Sequence, residues 1–211
     1  MHRVPTRCGG AARRAAAGFT LVELLLTLGL AAILMLLSFP ALQNMIYRGK
    51  IEGVGRETEA LMRLARYESI KRGVPARVLF DYPTDSTPPT IYAFADVTGS
   101  KTLDGTNPLL ASYVLPNGVN FWQAQDPDAN GPNSMMNMED PSSTGGSTVF
   151  MPDGHATRSS QAVHFGDAKG NFLQILVSSP ATGKVDMLKW DANLGAYVKQ
   201  NNGGKPWRWQ Y

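Results

Sequence analysis

Phe19-Thr20-Leu21-Val22-Glu23-Leu24-Leu25-Leu26-Thr27-Leu28-Gly29-Leu30-Ala31-Ala32-Ile33-Leu34-Met35-Leu36-Leu37-Ser38-Phe39 is the stretch on which the fold of this chain turns. It holds 21 residues and one charge, Glu23. At about 1.5 Å per residue, a helix of this length crosses a hydrocarbon core of about 30 Å. The expectation is a transmembrane helix over 19–39. A carboxylate four residues inside such a helix is costly, so it calls for a partner or a function.

Four arginines, Arg3, Arg7, Arg13 and Arg14, precede the apolar run, and no Asp or Glu accompanies them. Placed there, they keep the amino terminus on the cytoplasmic side and send the rest of the chain outward. They also account for the chain's basic balance. The whole sequence carries 20 Lys and Arg against 17 Asp and Glu; without residues 1–18 it carries 16 against 17. Overall charge is therefore no argument for nucleic acid binding. Cys8, the one cysteine, sits in the same leader, so a chain beginning at residue 19 forms no disulfide and no thiolate metal site.

A cleavable secretory signal shares this grammar of basic residues followed by apolar ones. Its apolar core is shorter, however, and its small-residue cleavage site follows the run, whereas Gly18 here precedes it. An ordinary single-span anchor leaves Glu23 unexplained. A cut between Gly18 and Phe19 explains it, because the new α-amino group of Phe19 on one chain can neutralise Glu23 of the next and fix the stagger between them.

Gly18-Phe19-Thr20-Leu21-Val22-Glu23-Leu24 resembles the GFTLxE signature of type IV prepilins and of the pseudopilins of type II secretion. The resemblance implies that prepilin peptidase cuts after Gly18 and methylates the amine of Phe19, and that Glu23 serves assembly. Residues 1–18 are then a leader that is removed.

Beyond the apolar run, residues 40–73 have helical composition and continue towards a globular domain. Val54, Leu61, Leu64, Ala65 and either Tyr67 or Glu68 form an apolar stripe, opposite Arg56, Glu57, Glu59, Arg63 and Arg66. Pro40 predicts a kink, and Gly49, Gly53 and Gly55 predict a loose or broken first part. Gly73-Val74-Pro75 ends the helix.

Residues 74–211 read as a β-rich domain. Strands are predicted at 76–80, 90–97, 109–115, 119–122, 148–151, 162–165, 172–177, 185–190 and 195–199, each short and bounded by Gly, Pro, Asn or Asp. Residues 123–147 read as one long loop. One long helix followed by strands is an α+β order, with a largely antiparallel sheet covered on one face by the helix.

Three further segments narrow the resemblance. Tyr67-Glu68-Ser69-Ile70-Lys71-Arg72-Gly73 is similar to the A-R-x-E-A-I-x-R helix end of the GspH/FimT group of minor pseudopilins and minor pilins. Phe150-Met151-Pro152-Asp153-Gly154 resembles that group's F-x-P-D-G turn. Leu176 to Ser179, followed by Thr182-Gly183-Lys184-Val185, resembles its closing hairpin, with Lys184 standing where arginine is usual.

For the chain this implies a type IV pilin-like fold, an inner-membrane anchor and a periplasmic domain, with no catalytic residue and no cofactor. The expected partners are prepilin peptidase, other pseudopilins or pilins, the inner membrane, and proteins being secreted. The leading expectation is a minor pseudopilin of the type II secretion system. The alternative is a FimT-like minor pilin used in pilus assembly or DNA uptake.

Other chemistry is thin. His155 and His164, with Asp153 and Asp167 nearby, would allow a metal or acid/base site, but turn polarity and strand alternation explain them as well. Asp126, Asp128, Glu139 and Asp140 make an acidic loop that fits no known calcium spacing. The tail pairs cations with aromatics at Lys205, Trp207, Arg208 and Trp209, an arrangement that holds single strands. Packing on the sheet edge is the competing account. No nucleophile elbow, zinc-protease helix or phosphate loop is present.

Overall fold

The structure is a computed structural model that describes residues 19–82, 88–121, 138–142, 145–158, 161–191, 193–200, 207 and 209. The side chains at positions 37, 40, 41 and 139–142 lie outside the description. One helix, α1 (Leu21–Arg72), precedes ten strands: β1 (Ala76–Asp81), β2 (Thr90–Ala95), β3 (Leu109–Val114), β4 (Val119–Phe121), β5 (Glu139–Ser142), β6 (Gly145–Phe150), β7 (Ala162–Asp167), β8 (Phe172–Ser179), β9 (Lys184–Asp191) and β10 (Ala196–Lys199). A 3-10 turn, Pro180–Thr182, joins β8 to β9. This is the α+β architecture of a long amino-terminal helix followed by antiparallel sheet.

The chain forms two compact units that meet at Gln43 and Asn44. In the first, every described side chain from Phe19 to Gln43 is exposed except the half-buried Ala31. Among the described residues no helix is long and apolar enough to cross a membrane.

In the second unit the helix buries Ile51, Val54, Thr58, Leu61, Met62, Ala65, Glu68 and Ser69. These positions are three or four apart and lie along one stripe. Two five-stranded sheets receive it, in the orders β3-β2-β1-β6-β5 and β10-β9-β8-β7-β4, with every pairing antiparallel. One core joins α1 to Val78, Phe80, Ile91 and Ala93 of the first sheet and to Val163, Phe165, Leu173 and Ile175 of the second. Phe121 bridges the sheets, with its ring 6.1 Å from Phe80 and 5.5 Å from Phe165.

Three expectations are corrected. The single sheet is two sheets, because β1 pairs with β6 and β4 with β7 across long stretches of sequence. The long loop over 123–147 contains β5 and the start of β6. Strand β5 is Glu-Asp-Pro-Ser, and a proline with two acids is tolerated there because it is a sheet edge. Residues 123–137 and 143–144 of that loop lie outside the described residues.

The helix shows no break at its glycines either. Gly55 is buried against the second sheet, where a Cβ would collide with Met187 Sδ and come within 3.3 Å of Leu173 Cδ1. Its missing side chain lets helix and sheet approach. The kink predicted at Pro40 falls on a residue whose side chain is outside the description.

Candidate functional site: the helix start and the knot at its far end

Thr20 begins α1. Its hydroxyl accepts a hydrogen bond from the Glu23 backbone N–H at 3.2 Å, and its carbonyl accepts the first helical bond, from Leu24 N–H at 3.1 Å. Thr20 is thus the N-cap, and Thr-Leu-Val-Glu has the spacing of a capping box. Glu23 sits in the first turn, where the exposed N–H groups and the helix dipole favour an anion. Among the described residues its carboxylate has no ion-pair partner. Phe19 precedes the cap, lies outside the helix and is 79% exposed. Gly18 lies outside the described residues.

Hydroxyls further along return to their own helix. Thr27 Oγ1 donates to the Leu24 carbonyl at 2.9 Å and Ser38 Oγ to the Leu34 carbonyl at 2.8 Å. Between Phe19 and Phe39 the described side chains are therefore almost all exposed and mostly apolar, with Glu23 as the one ionisable group of that stretch.

At the other end of α1 the three segments singled out in the carboxy-terminal part converge. Arg66 Nε donates to the Gly154 carbonyl at 3.0 Å, and Ser69 Oγ donates to the Met151 carbonyl at 3.0 Å. Ala156 N–H donates to the Pro180 carbonyl at 2.8 Å. Gly183, with φ +59°, has no room for a Cβ, which would lie 2.7 Å from Arg66 Cδ and 2.8 Å from the Gly154 carbonyl oxygen. Helix end, turn and closing hairpin thus form one knot, and a groove beside it is lined by Arg63, Tyr67, Ile70 and Lys184.

Glu68 secures the same helix end. Arg72 donates to it at 2.6 Å and Lys71 at 3.2 Å. The Arg72 hydrogen bond holds its carboxyl below the usual 4.5, against the opposing pull of desolvation and with help from Lys71. Gly73, at φ +66°, closes the turn by donating its N–H to the Ser69 carbonyl.

Among the described residues, the remaining predicted ones do not assemble into a second site. His155 contacts Asp153 within the 151–155 turn. The backbone N–H of His155, and then its ring, hold the Asp153 carboxyl below its ordinary value. His164 is buried, 2.9 Å from Gln174 and stacked on Tyr197 at 5.2 Å. Asp167 closes the β7–β8 turn by accepting from Lys169 N–H and from both the backbone and the side chain of Asn171, each at 2.9 Å. Among the described residues no three His, Cys, Asp or Glu side chains come together as metal ligands.

Within the tail, Trp207 is buried and donates Nε1 to the Val198 carbonyl at 3.1 Å. Trp209 packs edge-on to Trp207, with Lys189 and Arg48 over its ring at 5.0 and 5.7 Å. Both described rings are occupied by the protein itself. Lys205 and Arg208, like Asp126 and Asp128 of the acidic loop, lie outside the described residues.

Sequence reasoning placed Arg66 on the polar helix face and missed its role. Its partner is 88 residues away, and the only local signal was the turn glycines.

A family model described as Type II transport protein GspH matches residues 55–182, more than half of the chain. One described as Prokaryotic N-terminal methylation motif matches residues 13–39, which hold Gly18, Phe19 and Glu23. Comparison with curated proteins and with solved structures gives no match. The first family match begins at Gly55, where α1 meets the second sheet, and ends at Thr182, beside the knot. The chain belongs to the GspH family of type II transport proteins and carries a prepilin-type methylation motif ahead of its pseudopilin domain.

Proposed function

We propose that this chain is a structural subunit, a minor pseudopilin, of the periplasmic pseudopilus that supports protein export by type II secretion. The observation that carries the reading is a helix with apolar surface exposed all round and a lone carboxylate, Glu23, in its first turn. Such a surface needs lipid, or the helices of neighbouring subunits, to cover it.

Prepilin peptidase removes residues 1–18 and methylates Phe19. Before assembly, residues 19–39 anchor the protein in the inner membrane, with the domain of residues 74–211 in the periplasm. The four leader arginines and the self-satisfied hydroxyls of Thr27 and Ser38 support this topology. In the filament, the Phe19 amine of one subunit answers Glu23 of its neighbour. The GspH family is structural, and no catalytic role is assigned.

The matched family favours secretion over the FimT-like pilus reading, and the burial of Trp207 removes one aromatic from a DNA contact. Complementation tests the proposal. In a strain lacking this gene, the intact chain should restore export of secreted proteins, and Glu23→Ala should be processed yet fail to restore it. Full export with Glu23→Ala would refute the assembly role, and loss of pili with export intact would favour the pilus.

A further inference from the structure

The geometry points to a collar of cations and aromatic rings, built around Tyr47, Lys50 and Lys169 and extended by Arg48 and Trp209, that seats the folded unit on anionic phospholipid headgroups. This rests on the anchoring read above and adds a second, electrostatic contact with the same membrane.

Three distant segments make the collar. Tyr47, 41% exposed, stands on α1. Lys169, from the β7–β8 turn, brings its Nζ to 4.3 Å from the Tyr47 ring centroid, and Lys50 brings its own to 5.7 Å. Lys50 also donates to the Asn117 carbonyl in the β3–β4 turn at 3.3 Å. On the same stretch of helix Arg48 lies over Trp209, which Lys189 also approaches.

The acids nearby are already engaged. Glu52 is shared between Arg48 at 2.8 Å and Arg56 at 3.4 Å. Asp167 is committed to the backbone and to Asn171. Among the described residues neither Lys50 nor Lys169 has a carboxylate within 4.0 Å. Two ammonium groups drawn to one exposed ring repel each other, and an anion between them would relieve that repulsion.

The choice of anion follows from position. Met45 and Ile46, both more than half exposed, immediately precede Tyr47 in the chain. Apolar surface, then tyrosine and tryptophan, then lysine and arginine is the order found on passing from acyl chains through the interface to phosphate. A phosphodiester headgroup matches the ammonium pair, and a negative leaflet attracts each cation near its surface.

The test uses the full chain in nanodiscs of phosphatidylcholine, or of phosphatidylcholine enriched in phosphatidylglycerol. A neutral amine-acylating reagent is added and each lysine is read by mass spectrometry. Lys50 and Lys169 should react about fivefold more slowly in the anionic discs. Lys184, whose side chain is 60% exposed on the β8–β9 hairpin, should not change. Lys169→Gln should reduce the protection of Lys50, which a merely buried Lys50 would keep.

Equal rates in the two discs would overturn the collar. Equal protection by inorganic phosphate added to phosphatidylcholine discs would overturn the lipid as its source. A chain that fails to enter discs of either composition would overturn the anchoring itself, and so is distinguishable from both.

Discussion

Arg66 donates its Nε proton to the carbonyl oxygen of Gly154 and so ties the last turns of α1 to a turn 88 residues away. Around this bond lie Gly183, too close for any side chain, and Ser69, bonded to the Met151 carbonyl. The three segments that carry the family resemblance at this end of the chain thus have a shared structural reason.

Arg66→Ala should destabilise the domain by about 1.5–3 kcal/mol, the range for a hydrogen bond to a charged group. Gly183→Ala should cost at least about 1–2 kcal/mol, because it adds left-handed backbone strain to a collision with Arg66. Chemical unfolding followed by circular dichroism measures both. Their effects should not add, since both break the same knot.

The glycines of α1 should separate by environment. Gly53, with nothing near its missing side chain, should gain about 0.5–1 kcal/mol on replacement by alanine. Gly55→Val should lose about 1–3 kcal/mol against Met187 and Leu173, and Met187→Ala should recover much of that loss. A double-mutant cycle measures the coupling.

Trp207→Ala should cost about 3 kcal/mol or more, as expected for a buried tryptophan whose indole N–H is bonded to Val198. A tail that serves only to hold DNA would leave the unfolding midpoint unchanged.

Glu68 gives a pH dependence. Its carboxyl is lowered in the folded state, so its stabilisation is present above the ordinary value of 4.5 and is lost as pH falls through the lowered one. The stability advantage of the unaltered chain over Glu68→Gln should therefore be full well above 4.5 and shrink as pH falls below it. Urea titrations at several pH values measure it.

Much of this molecule is written locally. The apolar run, the acid at Glu23, the stripe from Val54 to Ala65 and nine of the ten strands follow from periodicity and turn residues within short windows. Strand β5 was hidden because edge position, which no local window shows, is what permits its Pro141 and its acids. The division into two sheets depends on long-range pairing, and Gly55 acquires its meaning only from Met187 on a strand more than a hundred residues later. Likewise, Gly18, Phe19 and Glu23 could be proposed from one motif, whereas Arg66 and the Tyr47 collar required partners that only folding supplies.

The most direct measurement is the mass and amino-terminal sequence of the protein recovered from membranes of cells with active prepilin peptidase. The recovered chain should begin at Phe19 and carry one methyl group on its amine, with the precursor accumulating when Gly18 is replaced by a bulky residue. A chain that still begins at Met1, or one cut beyond the apolar run near Ser38, would contradict it.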